Sequence, residues 1–150
     1  MPTVLLVRHG RTAANADGTL AGRTPGVGLD DVGRSQVASL AERLAPLPLV
    51  AVLTSPLERC VATAEALVAT GGTKAVPRPA CVVDDRLAEC DYGDWTGRPL
   101  EQLTKEPLWP VVQAQPSAAS FPGGESMRAM QQRAVDAVRE TDAALQARHG

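Results

Sequence analysis

Near the start of the chain, Thr3-Val4-Leu5-Leu6-Val7 forms an unbroken, mostly apolar run that stops abruptly at Arg8-His9-Gly10. A run without polar alternation reads as a strand buried on both faces, the habit of a parallel sheet. Two more runs of this kind follow, Leu49-Val50-Ala51-Val52-Leu53 and Ala80-Cys81-Val82-Val83. Helical patterns lie between them. Val37, Leu40, Ala41 and Leu44 recur at the i, i+3, i+4, i+7 spacing of one apolar stripe, with Asp30 or Asp31 to cap the start and Pro46 to help end it. After the second run, Ser55 can cap, Pro56 takes the first helical position and Glu58 completes a Ser-x-x-Glu capping box. Leu57, Val61, Ala64, Leu67 and Val68 continue that helix to Gly71-Gly72. Strands alternating with helices predict right-handed βαβ units. The expected fold class is α/β, a mostly parallel sheet flanked by helices on both faces.

The second half of the chain is less periodic. Residues 84–98 are polar with aromatics and glycines, which suits a loop at a site. Pro107 to Gly124 reads as a loop with one helical turn at most, because it contains Pro107, Pro110, Pro116 and Pro122. From Ser126 a long helix is expected, with Met127, Met130, Ala134, Val135, Val138 and Leu145 inward and Arg148-His149-Gly150 at its end. Its charges, including Arg133, Asp136, Arg139 and Glu140, read as a solvated face. Trp95 and Trp109 read as packing residues, and Cys90 as a small buried one.

Length and charge narrow the partners. At 150 residues the chain fits a single domain, 1–150, and its net charge of −2 supplies no basic surface for nucleic acid or an anionic membrane. No stretch approaches the roughly 18 apolar residues of a membrane span, and the N-terminus lacks a basic leader. The odd count of three cysteines, with no CxxC pair, fits free thiols in a reducing cytosol, so a cytoplasmic location is expected. The expected partner is a small molecule.

In open parallel sheets ligands bind beyond the carboxyl ends of the strands. Arg8 and His9 lie at that end of the first run, and Arg59 lies on the first turn of the helix after the second. Two guanidinium forks and an imidazole converging there suit a dianion such as phosphate. Nothing in the chain resembles a Walker loop or a His/Asp metal cluster, so neither a metal nor any other cofactor is expected.

The segment Val7-Arg8-His9-Gly10-Arg11-Thr12, followed by Asn15 and Gly22, resembles the Arg-His-Gly signature of the histidine phosphatase family, which includes phosphoglycerate mutases. Ser55-Pro56-Leu57-Glu58-Arg59 is similar to the family's second arginine segment. Leu87 to Gly97 (Leu-Ala-Glu-Cys-Asp-Tyr-Gly-Asp-Trp-Thr-Gly) is similar to its acid loop, and Phe121-Pro122-Gly123-Gly124-Glu125-Ser126 to the segment opening its late helix. The four occur in the family's order across nearly the whole chain, with closest likeness to an actinobacterial phosphomutase and phosphatase branch.

The resemblance implies that His9 attacks phosphorus and becomes phosphohistidine, that Arg8 and Arg59 hold the phosphoryl oxygens, and that Glu89 protonates the leaving oxygen. It places Asn15, Ala21, Gly22 and Tyr92 on the substrate side. The chemistry agrees, since attack needs a neutral imidazole and departure of an alkoxide needs a proton. The expected activity is hydrolysis of a small phosphorylated metabolite without a metal, by a monomer or homodimer. Mutase chemistry ranks second, because Leu103 to Ser120 has only Lys105 as a basic residue. A non-catalytic phosphate-binding fragment is the third reading. The family also places a second histidine in a Thr/Ser-His-Gly turn after another buried strand, one that lies between the first two strands. His149 lacks such a strand before it, so the expectation is a domain incomplete at its C-terminus, without those strands.

Overall fold

The structure is a computed structural model that describes residues 3–72 and 77–149. A short helix α1, Ala13–Ala16, opens on a reciprocal cap: the Thr12 hydroxyl accepts from the Asn15 N–H at 3.2 Å, and the Asn15 side chain accepts from the Thr12 N–H at 3.1 Å. Helix α2, Asp31–Leu44, begins where the aspartates predict, with the Asp30 carboxylate accepting from the Gly33 N–H at 2.7 Å. Strand β1, Val52–Thr54, leads to helix α3, Glu58–Ala69, and strand β2, Cys81–Val83, follows. Helix α2 buries Val37 and Ala41, and α3, which it contacts, buries Ala64 and Leu67. Beyond a loop come the short helices α4, Leu100–Leu103, and α5, Trp109–Ala114, and the long α6, Met127–His149.

β1 and β2 pair in parallel, Val52 opposite Cys81 and Thr54 opposite Val83, as an α/β fold requires. The sheet is smaller than the apolar runs imply. Thr3–Val7 joins no strand among the described residues, and Val4, Leu5, Leu6 and Val7 are 54%, 48%, 88% and 40% exposed. A strand is defined by its hydrogen-bonded neighbour, and none of the described segments supplies one. The second run likewise pairs only from Val52 onward, leaving Val50 62% exposed.

The helix starts also differ in one place. The Ser55/Glu58 capping box does not form: α3 starts at Glu58 with Leu57 as its cap residue, so Pro56 stays outside the helix. The Glu58 carboxylate accepts instead from the Gly26 N–H at 3.0 Å, and the Ser55 hydroxyl accepts from the Leu57 N–H at 3.4 Å. A tertiary contact has displaced the local one. The loop of prolines holds more helix than expected, in α5 and a 3-10 turn at Pro116–Ala118, because Pro110 and Pro116 fall in first turns where a missing N–H costs nothing. The C-terminal Gly150 and the His149 side chain lie outside what is described, and with them the reading of His149.

A separate core forms around the loop after β2. Cys90, Trp95, Leu103 and Phe121 are buried together, with Tyr92 edge-on to Phe121 at 4.9 Å and Trp95 edge-on to it at 5.2 Å. Trp95 and Trp109 stack at 6.2 Å, the packing role their sequence suggests. The loop that carries Glu89 is thus anchored by its apolar neighbours.

Candidate active site

Glycine at two positions lets backbone meet backbone beside His9. A Cβ on Gly10 would stand 2.6 Å from the Gly33 carbonyl oxygen, and one on Gly33 would stand 2.0 Å from the Arg11 carbonyl oxygen. The turn after His9 therefore lies directly on the start of α2. It is tied to α3 as well: the Gly10 N–H donates to the Thr63 hydroxyl at 3.2 Å, and that hydroxyl donates to the Arg59 carbonyl at 2.7 Å. These contacts fix His9 relative to the helix carrying Arg59.

His9 is half-buried, and its Nδ1 lies 2.7 Å from the Gly10 carbonyl oxygen. A carbonyl only accepts, so Nδ1 carries the proton and Nε2 of a neutral ring keeps its lone pair. Arg59, second residue of α3 and 3% exposed, points its Nε–H at that nitrogen from 3.3 Å. The same guanidinium donates from Nη2 to the Gly22 carbonyl at 2.8 Å and stands 3.7 Å from Glu89 Oε2. Three loops distant in sequence converge on one side chain, beyond the carboxyl ends of β1 and β2.

Glu89 shows Oε2 to Arg59, while its Oε1 accepts from the Tyr92 hydroxyl at 3.1 Å and the Cys90 N–H at 3.2 Å. Burial pushes the Tyr92 phenol well above its usual range, and the charge and hydrogen bond of Glu89 add to this, so Tyr92 remains a donor. Burial, reinforced by Glu125 and Glu89, pushes the Cys90 thiol up to about 11. A thiol held protonated and 1% exposed is no competitor to His9 as a nucleophile.

The other expected residues divide. Gly22 is buried at φ +52°, where a Cβ would meet Thr96 Oγ1 at 3.1 Å and Tyr92 Cδ2 at 3.2 Å, and Ala21 stands half-buried beside it. The Arg8 side chain is exposed and shares no hydrogen bond with this cluster among the described residues. The Asn15 side chain is engaged in the cap of α1.

Arg133 corrects the reading of α6 as uniformly solvated on its charged face. Its Nη1 donates to the carbonyls of Arg86 and Ala88 at 2.6 and 2.7 Å, and its Nη2 to the Glu89 carbonyl at 3.1 Å and to Glu125 Oε1 at 2.5 Å. The available signal was position: Arg133 falls three residues after Met130 and four before the buried Ala137, on the inward side of the helix. Glu140 does stay exposed, and pairs with Arg86 at 2.5 Å.

Fold and site together define an α/β protein with a histidine, a buried arginine and a carboxylate gathered beyond the carboxyl ends of a parallel sheet. The chain belongs to the histidine phosphatase superfamily, branch 1, which it matches over residues 4–149. It is 35% identical over 105 residues to the uncharacterized phosphatase PhoE of Bacillus subtilis, covering 70% of this chain and 51% of PhoE. It is 35% identical over 125 residues to a bifunctional protein of Mycobacterium tuberculosis, covering 82% of this chain and 32% of that protein. Among solved structures it is similar to mycobacterial glucosyl-3-phosphoglycerate phosphatase in complex with VO3, with a TM-score of 0.77, 28% identity, and coverage of 90% of this chain and 64% of that one. The alpha-ribazole phosphatase of Shigella flexneri gives a TM-score of 0.75 at 26% identity, covering 93% of this chain and 67% of that one. The chain thus spans about a third to a half of these two curated relatives. Among the described residues no helix is long and apolar enough to cross a membrane, and no group of three or more His, Cys, Asp or Glu stands together as metal ligands.

Proposed function

We propose that this chain carries the nucleophile and the acid of a phosphomonoester hydrolase that works through phosphohistidine. The observation that carries the reading is Arg59, whose one buried guanidinium reaches His9 Nε2, the Gly22 carbonyl and Glu89. A phosphoryl group meeting Nε2 takes Arg59 donors for its oxygens, with Arg8 free to swing in from solvent. The Nε2 lone pair forms the N–P bond as the P–O bond breaks, and the leaving oxygen takes a proton from Glu89. Water then attacks phosphorus, gives its proton to Glu89, and restores His9 as inorganic phosphate departs. Ala21, Gly22, Tyr92 and Asn15 border the substrate side, and the substrate is a small phosphorylated metabolite.

Phosphatases named among the relatives support hydrolysis as the reaction class. Phosphoryl transfer of the mutase kind ranks second, since the stretch Leu103 to Ser120 offers only Lys105 to hold a second anionic group.

The test is to quench turnover of a slow aryl phosphate and map the label. Acid-labile phosphate on His9, absent in His9→Ala, is the expected result, with turnover unaffected by EDTA. Label on a serine or cysteine would end the histidine assignment, and loss of activity on chelation, restored by added magnesium or zinc, would end the metal-free one.

A further inference from the structure

Residues 88–91 run between two 3-10 turns, Asp85–Leu87 and Gly93–Trp95, without belonging to either, yet they carry the carboxylate at the centre of the site. We propose that Arg133 is the positioning residue that holds Glu89 in register with Arg59, with Glu125 and Arg23 completing the brace. This rests on Glu89 being the acid.

The carbonyls of residues 86, 88 and 89 all turn toward α6 and are gathered by the single Arg133 fork at 2.6, 2.7 and 3.1 Å. Arg23 adds a second donor to the Glu89 carbonyl, from Nε at 2.8 Å. Glu125 closes the arrangement: its carboxylate accepts from Arg133 Nε at 3.2 Å, from Arg23 Nη2 at 3.1 Å and from the Asp91 N–H at 2.9 Å, while its own N–H donates to the Asp91 carbonyl at 2.9 Å. The peptide units on both sides of Glu89 are therefore held through their carbonyls, while its carboxylate is left to face Arg59 and Tyr92. A lysine could not replace this, because its donors leave one point, whereas the guanidinium spreads five across a rigid plane. Displacing a catalytic group by about 1 Å can cost on the order of 100-fold in rate, so a brace on its backbone acts on catalysis without touching substrate.

The experiment compares an alkyl phosphate, whose leaving oxygen needs a proton, with p-nitrophenyl phosphate, whose does not. Glu89→Gln alone tests the acid assignment: an equal loss on both substrates overturns that reading. Arg133→Lys is expected to lower kcat about tenfold on the alkyl substrate and less than about threefold on the aryl one, with KM little changed, and to add almost nothing when built into Glu89→Gln. Equal losses on both substrates, or an undiminished loss in the Glu89→Gln background, would overturn the positioning role. Amide exchange read on the same protein separates the two ideas. Arg133→Lys, and independently Glu125→Gln, should speed exchange at Cys90 and Asp91 and leave β1 and β2 unchanged, and no local change there would overturn the brace whatever Glu89 does.

Discussion

A guanidinium that is 3% exposed must find acceptors, and Arg59 finds them on three different loops. Desolvating a charge is costly unless it is paired and hydrogen-bonded, so burial here is better explained by the phosphoryl-binding role proposed above than by stability. The consequence is testable. Arg59→Met should lower turnover by about 100-fold or more while shifting Tm by less than about 5 °C, because an apolar side chain of similar length fills the space and Glu89 keeps Tyr92 and solvent. A large fall in Tm measured by calorimetry would show that the arginine is structural first. At this scale the sequence was most legible where a side chain's role comes from residues close to it in the chain. Arg59 sits where the turn from β1 into α3 puts it, His9 follows directly on the first apolar run, and Glu89 and Tyr92 share one loop. Of Arg133 only the inward position could be read from spacing; its acceptors, the carbonyls of residues 86, 88 and 89, are connected to α6 by nothing local.

Among the elements, α6 takes a pH dependence from Glu125, just before its start, through Arg133. The Arg133 hydrogen bond, helped by the Asp91 N–H, holds the Glu125 carboxyl below its usual range. A carboxyl whose pKa is depressed in the folded state contributes stability that is present above its unfolded value of 4.5 and lost as pH falls through the folded one. Glu125→Gln should therefore lower Tm near neutral pH and flatten its decline on acidification, read by thermal melts from about pH 7 to pH 3. Parallel curves for the two proteins would remove Glu125 from the acid limb. The same element shows why helices were easier to foresee than strands. The periodicity of α2, α3 and α6 and the Asp30 cap are local and sufficient. Thr3–Val7 has the composition of a strand but no described neighbour to pair with, and the pairing is what makes one.

The whole molecule leaves apolar surface open: Val82 and Val83 on its small sheet are 56% and 51% exposed, and Leu6 in the first apolar run, outside the sheet, is 88% exposed. Unpaired strand edges and clustered apolar side chains recruit other chains. The isolated 150-residue chain should therefore self-associate as concentration rises, and Leu6→Lys or Val82→Lys should reduce this, as sedimentation velocity can read. A monomer at every concentration would show that these side chains are solvated without consequence. The contact of Gly10 with Gly33 works at this scale too, since it presses the turn after His9 onto α2 with no side chain between them. Each position is closed to a Cβ by backbone of the other segment, the Gly33 carbonyl facing Gly10 and the Arg11 carbonyl facing Gly33, so the two segments are inherited as a unit. A chimera whose crossover falls between them, joining this chain to a relative with any larger residue at either position, would bring together two viable halves that cannot close. In families of shuffled sequences, that stretch should be where recombinants are lost.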